Sequence, residues 1–172
     1  MNDEQYVYKG KLLNLKAVEV ILPSGRKATR EVVEHPGAVA IVPLTSPDRV
    51  VLVRQFRYGP NRTLLEIPAG TLEPGEDPLS CARRELAEET GFGPGKLQKV
   101  GEFYTSPGIL NEIIHLFVAT ELKSICAPKN GDEDEKIEIV ELNLDEALNM
   151  IKSGRIVDAK TIIGLLLVSR AT

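Results

Sequence analysis

The 172-residue chain has no tryptophan, four tyrosines, four phenylalanines, two histidines and two cysteines. Cys81 and Cys126 lie far apart and neither has a C-x-x-C partner, which argues against a zinc site and against a disulfide framework. Cys81 falls on the apolar side of a predicted helix, where a free thiol acts as a small hydrophobe. His35 and His115 stand apart from other ligand types at metal spacing, so both read as structural. No apolar run reaches the roughly 18 residues a membrane span needs. The N-terminus, Met1-Asn2-Asp3-Glu4, is acidic and lacks the basic-then-apolar pattern of a secretion signal, so a cytoplasmic location is expected. The net charge of −4 offers no general attraction for nucleic acid or an anionic membrane, and neither is expected as a partner. An anionic ligand would therefore need a metal or a few local arginines to offset repulsion.

What is present suits one globular domain: 42% apolar and 27% charged residues in a chain long enough to bury a core. Residues 11–22 and 27–34 alternate loosely around Pro23-Ser24-Gly25 and predict a hairpin. Short β-branched runs at 38–42 and 50–53 predict strands covered on both faces. A brief strand at 64–67 is cut off by Pro68, and residues 96–105, 113–120 and 136–142 read as further strands. Helices are predicted at 78–90, 145–152 and 159–169. The first opens on Asp77 as N-cap with Pro78 at the first helical position and stops at Gly91; Asp158 is the candidate cap of the third. Helices lie among strands without regular βαβ alternation, which predicts an α/β fold with a mixed sheet between helices. One domain spanning 1–172 is expected, with a hairpin at 1–34 and a core at 35–172.

The chemistry is concentrated between Gly70 and Phe92. Glu76, Glu85, Glu88 and Glu89 fall within this stretch, and the last three share one helix face. Like charges one turn apart repel, so such a face needs a cation to gather it. Hard oxygen donors without His or Cys suit Mg²⁺ or Mn²⁺, which hold waters and substrate phosphates in their remaining positions. Leu79, Ala82, Leu86 and Thr90 form the complementary stripe expected to pack on the sheet.

The spacing Gly70, five residues, Glu76, seven residues, Arg84-Glu85-Leu86, one residue, Glu88-Glu89, one residue, Gly91-Phe92 resembles the Nudix box at each defining position. That resemblance implies a Nudix fold and a metal-dependent hydrolase acting on a nucleoside diphosphate linked to another group. It implies Glu85 and Glu89 as metal ligands, with the carbonyl of Ala69 completing the site, Glu88 beside them and Arg84 orienting the glutamates. Glu76 supports the loop in this pattern. Mg²⁺ is the implied cofactor, for which Mn²⁺ can substitute.

Further segments are similar to the ADP-ribose and nucleoside diphosphate sugar pyrophosphatase branch: Arg54-Gln55-Phe56-Arg57, Glu66-Ile67-Pro68-Ala69-Gly70, and Pro107 sixteen residues after Gly91 within Ser106-Pro107-Gly108. The resemblance implies cleavage of ADP-ribose to AMP and ribose 5-phosphate, with GDP-mannose or another diphosphate conjugate as the alternative. A non-catalytic nucleotide-sugar sensor is the alternative of another class. Within the acidic run 132–135, it implies Glu133 as the base that deprotonates water and Glu135 as a metal contact. Arg57 and Arg30 are implied to grip phosphate and terminal sugar, and Glu112 to receive ribose hydroxyls. Relatives in this branch are homodimers in which the N-terminal strands cross to the partner, which would place Arg30 in trans and make the hairpin a dimerisation device. Relatives often carry an aromatic residue after a Tyr-Arg-Gly segment to stack on adenine, whereas here Tyr8-Lys9-Gly10 is followed by Lys11.

Overall fold

The computed structural model describes residues 4–125 and 137–170. Twelve strands and three helices follow one another along these segments: β1 (Glu4–Lys9), β2 (Asn14–Ile21), β3 (Lys27–Glu34), β4 (Ala38–Ser46), β5 (Arg49–Arg57), β6 (Arg62–Glu66), β7 (Ala69–Thr71), α1 (Pro78–Thr90), β8 (Phe92–Gly93), β9 (Lys96–Tyr104), β10 (Ile113–Thr120), β11 (Lys123–Ser124), β12 (Glu138–Asn143), α2 (Leu144–Lys152) and α3 (Ala159–Val168). The principal sheet runs β12-β5-β4-β10-β9, with β6 on β5 and β7 on β4. Its centre is mixed: β10 lies parallel to β4, while β5, β7 and β9 pair antiparallel with their neighbours.

Alternation along β4 explains why that strand reads as an unbroken apolar run. Ala38, Ala40 and Val42 face a core shared with Leu52, Leu116, Leu144, Ala147 and Leu165, on the side of α2 and α3. Val39 and Ile41 face the opposite core, built with Phe117 and with Cys81, Ala82 and Leu86 of α1. Each fully buried aliphatic side chain here contributes about 1.5–3 kcal/mol. Helix α3 lies so close to the sheet that a methyl at Gly164 would stand 2.8 Å from Val42 Cγ2. The sheet is thus pinned between helices, as the sequence pattern implied.

Two details depart from the sequence reading. The expected hairpin is present as the antiparallel pair β2-β3, but β1 joins it to make a three-stranded sheet, and Lys11 to Leu13 precede the hairpin's first strand, β2. The added strand β1 is polar and irregular, with a register shift between Tyr6 and Tyr8, so it offers no alternating apolar signal. Leu79 is 42% exposed instead of packing on the sheet; the buried stripe of α1 is Cys81, Ala82, Leu86 and Thr90. Leu79 sits in the first turn, at the second helical position, and belongs to neither buried cluster.

The N-terminal sheet is stitched to the core at one corner. Val33 N–H donates to Ile109 O at 2.7 Å, Asn111 N–H donates to Val33 O at 3.2 Å, and the His35 amide donates to Asn111 Oδ1 at 2.8 Å. This corner sets the loop before β10 against the end of β3.

Candidate active site

Helix α1 is placed by local chemistry at both ends. The Asp77 carboxylate accepts the Leu79 and Ser80 amides at 3.0 and 3.1 Å, and Pro78 starts the helix without an orphan amide. Gly91 ends it with φ 71°, and its amide donates to Ala87 O. With the stripe of Cys81, Ala82 and Leu86 buried, Glu85 and Glu89 turn toward β7. There the backbone receives them. Ala69 N–H donates to Glu89 Oε2 at 3.1 Å. The Glu85 carboxyl lies so close to Gly70 that an added Cβ would stand 1.8 Å from its Cδ.

Arg84 gathers three acids. Its Nε and Nη2 donate to the two oxygens of Glu76 at 3.0 and 2.9 Å, a bidentate pair, while Nη1 donates to Glu85 at 2.7 Å and Glu88 at 3.2 Å. The guanidinium, aided by the Glu73 amide, holds the Glu76 carboxyl down at about 2. Glu76 is thus tied to Arg84 and to the Glu73 amide of its own loop, and Glu88 sits at the exposed rim. Burial pushes the Cys81 thiol up to about 12, which leaves it an unreactive core group.

Glu85 and Glu89 are electrically unlike their neighbours. Burial raises Glu85, against the pull of Arg84. Burial raises Glu89 to about 8, an effect the Ala69 amide opposes and the Glu85 charge reinforces. Two desolvated carboxylates one turn apart lack sufficient positive charge, and a divalent cation between them and the Ala69–Gly70 backbone would supply it. Among the described residues no three acid, imidazole or thiol side chains converge into a ready cage. A seat here would consist of two carboxylates beside backbone, an arrangement that leaves positions for waters and substrate oxygens. Such a cation would polarise a phosphate and acidify bound water.

Beside this seat opens a cavity of about 300 Å³ lined by Arg57, Ala69, Gly70, Thr71, Thr105, Glu112, Asp158 and Lys160, among others. Of the sequence-predicted residues, Arg57, Ala69 and Glu112 meet there. Glu112 accepts the Thr105 hydroxyl at 2.6 Å and lies 3.5 Å from His35 Nδ1. Pro107 lines a second cavity of about 250 Å³ with Val32, Tyr104 and Ile109. Arg30 is exposed on β3, bonded through Nη1 to Thr29 O, and lines neither cavity. Glu133 and Glu135 lie outside the described residues, as does Cys126.

Sequence reasoning missed Lys160, Thr105, the role of Glu66 and the contact of the cap Asp158 with Lys160. The Glu66 side chain is 1% exposed, takes both Nε and Nη2 of Arg57 at 2.9 Å, and also accepts Lys160 Nζ. Burial pushes the Glu66 carboxyl up, but the Arg57 and Lys160 contacts outweigh it and hold the group below its ordinary value. One local signal pointed at Lys160. A cation at the second position of α3 opposes the helix dipole, so its placement requires a partner elsewhere.

A mixed sheet between helices, an acidic helix laid on a glycine-bearing strand, and a cation-lined cavity beside it define a hydrolase of one family. The NUDIX domain model matches residues 34–163, and the chain belongs to the Nudix hydrolases, which generally need divalent cations. The chain is 45% identical over 158 residues to an ADP-ribose pyrophosphatase of Bacillus subtilis (strain 168), covering 92% of this chain and 85% of that protein. It is 44% identical to a methanol dehydrogenase activator of Bacillus methanolicus, over 94% of this chain and 87% of the relative. It is 41% identical to a GDP-mannose pyrophosphatase of Citrobacter koseri (strain ATCC BAA-895), over 74% and 70%. A crystal structure described as an ADP compounds hydrolase superposes with a TM-score of 0.85 at 25% identity, covering 98% of this chain and 91% of that one. Among the described residues no helix is long and apolar enough to cross a membrane.

The approach of Glu85 to Gly70 yields a sharp expectation. A Gly70→Ala methyl displaces the flexible end of Glu85 rather than the backbone, so thermal stability changes by only a few degrees. Turnover should fall on the order of a hundredfold, the cost of an ångström-scale misplacement. Unfolding curves and kcat measured side by side check this; wild-type turnover would show that Glu85 need not sit against β7.

Proposed function

We propose that this chain hydrolyses the diphosphate bridge of a nucleoside diphosphate sugar, with ADP-ribose giving AMP and ribose 5-phosphate, and Mg²⁺ as the cation. The observation that carries the reading is the adjacency of two unlike surfaces across Ala69–Gly70. On one side are the desolvated carboxylates of Glu85 and Glu89. On the other is a cavity whose cationic lining residues are Arg57 and Lys160. A conjugate with its diphosphate across this strand exposes the bridging P–O bond to water. Water adds to one phosphorus, the P–O–P bridge breaks, and the departing phosphate keeps the bridging oxygen.

In this reading Glu85, Glu89 and the Ala69 carbonyl hold the cation, Arg84 orients Glu85 and Glu88, and Arg57 binds phosphate. Glu112, held by Thr105, takes sugar hydroxyls. Glu133 takes the proton of the attacking water and Glu135 adds a metal contact. The 172 residues work as one cytoplasmic domain. Its N-terminal sheet pairs two copies, bringing Arg30 into the partner's site, and Pro107 shapes the neighbouring cavity. The relative named a GDP-mannose pyrophosphatase supports the second reading, in which the sugar is a hexose on a guanine nucleotide. The sensor reading is disfavoured because each box carboxylate is present.

Incubation with ADP-ribose, GDP-mannose and a dinucleoside polyphosphate, with magnesium or with EDTA, separates these readings by product chromatography. Magnesium-dependent release of AMP from ADP-ribose at the highest kcat/KM is expected. Preference for GDP-mannose would select the second reading. Absence of hydrolysis across the panel would overturn both.

A further inference from the structure

We propose that Thr161 is a positioning residue for the cation seat: its hydroxyl holds the Ile67 amide and so fixes the corner that leads into Ala69 and Gly70, where Glu89 and Glu85 rest. The inference rests on the reading of those two glutamates and the Ala69 carbonyl as the seat of a divalent cation. Within that reading it gives a role to a side chain on α3, far from the box in sequence.

The corner needs an outside hold because the chain changes partners there. Strand β6 ends at Glu66 and pairs with β5, whereas β7 begins at Ala69 and pairs with β4. The register of neither ladder includes Ile67 or Pro68, and Pro68 has no amide to contribute. Buried backbone groups without partners are costly, so these must find them elsewhere. The Ile67 amide donates to Thr161 Oγ1 at 2.9 Å, on α3. The Pro68 carbonyl accepts the Ile41 amide at 2.9 Å, from β4. The Ala69 amide then donates to Glu89 Oε2 at 3.1 Å, on α1. Successive residues are thus held by three different elements.

Thr161 is set to accept at this point. The residue is fully buried, and its hydroxyl proton is already committed, since it donates to Asp158 Oδ2 at 2.6 Å. The same Asp158 oxygen caps α3 by accepting the Thr161 amide at 3.0 Å. A hydroxyl has one proton and two lone pairs, so only its acceptor capacity is left for Ile67. Helix α3 also holds the Ile67 side chain, because a methyl at Gly164 would stand 3.1 Å from Ile67 Cδ1. In the proposed seat Ala69 contributes backbone, which has no rotamer of its own and is oriented only through its neighbours in the chain. Groups that orient a ligand from behind govern metal affinity although they never touch the ion. Thr161 stands in that relation to Ala69, two residues beyond the amide it holds.

The test compares wild type, Thr161→Val and Thr161→Ser with Val168→Ala, a control that removes buried packing at the far end of α3. Mn²⁺ is titrated into each protein without substrate, and the free ion is read by electron paramagnetic resonance. Thr161→Val keeps the volume and removes the acceptor, and should weaken Mn²⁺ binding about tenfold, the lower end of the range for losing a group that orients a ligand. The magnesium concentration giving half-maximal turnover should rise by a similar factor, with much less change in KM for the diphosphate conjugate. Thr161→Ser keeps the hydroxyl and should restore both values to within a few-fold. Val168→Ala should lower the melting temperature and leave Mn²⁺ affinity as in wild type. Coupling between two sites is reciprocal. In the unmutated protein, saturating Mg²⁺ should therefore slow exchange of the Ile67 amide more than that of Ala147 on α2, a readout independent of how well a variant folds. Unchanged Mn²⁺ affinity in a folded Thr161→Val, an equal loss in Val168→Ala, or an Ile67 amide that responds no more than Ala147 would show that Thr161 serves stability alone. Wild type that binds no Mn²⁺ would overturn the cation-seat reading, and this assignment with it.

Discussion

Glu89→Gln should lower kcat on the order of a thousandfold, equivalent to about 4 kcal/mol of transition-state stabilisation, while the protein stays folded. The amide keeps the shape of the side chain, and its oxygen can still accept the Ala69 amide that now reaches Glu89 Oε2. It loses the negative charge that would hold a divalent cation. Stability should move the other way in EDTA. Burial lifts the Glu89 carboxyl to about 8, well above the value of an unfolded glutamate. Between those two values the folded state holds a proton that the unfolded state has released, so wild-type stability declines as pH rises across that window. The glutamine variant has no such proton and escapes the decline. Metal-free Glu89→Gln should therefore unfold at a higher temperature than metal-free wild type at pH 8, and the gap should close toward pH 4.5. Magnesium should raise the wild-type midpoint and leave the variant nearly unmoved. Scanning calorimetry across pH, with and without the cation, measures this; wild-type turnover by the variant would remove Glu89 from the metal seat.

The parts of this site that were legible in sequence are those fixed by chemistry between near neighbours. Helix α1 runs from Pro78 to Thr90 with Asp77 and Gly91 at its ends because a cap is a contact across two to four residues. The placement of Glu85, Glu88 and Glu89 on one face follows from helical geometry alone. The cation pair was not legible in this way. Glu66 and Lys160 stand ninety-four positions apart and meet only because α3 packs across the sheet. Asp158 could be read as a cap, yet its second contact, to Lys160, depends on where the whole helix comes to rest. The strand β7 escaped detection for another reason. At three residues, directly after Pro68, it is too short to show alternation, although it carries the backbone on which both box carboxylates rest.

That division has a functional logic. In the proposed reading the box supplies chemistry that depends on i,i+4 spacing, which sequence order preserves. In that reading the cavity supplies recognition, and it is assembled from β5, the loop before β10 and the start of α3. Changes in the distant elements can retune which conjugate is held without touching the helix that carries the carboxylates. Relatives named for ADP-ribose and for GDP-mannose, both above 40% identical to this chain, fit such a separation.

Glu66→Ala should destabilise the protein by about 3–5 kcal/mol, the range for removing one partner of a buried ion pair, and should do so without any direct contact with substrate. Arg57 and Lys160 both donate to this carboxylate, and truncation leaves two cations side by side, with Asp158 still bonded to Lys160 and the Glu89 carboxyl within electrostatic reach of both. Arg57 can turn partly to water, since its side chain is 35% exposed, but Lys160 at 12% cannot do so without disturbing α3. Glu66→Gln isolates the charge from the cavity: it keeps the volume and one acceptor and should cost less than the alanine change. The contacts hold the folded Glu66 carboxyl below its unfolded value, so its contribution is present above the unfolded value and lost as pH falls through the folded one. The gap between wild type and Glu66→Gln in urea midpoint, at unchanged m, should therefore be full at pH 7 and shrink as the solution is acidified below about pH 4. A gap that stayed constant on acidification would mean that Glu66 acts through packing, and that its charge does not organise the pair.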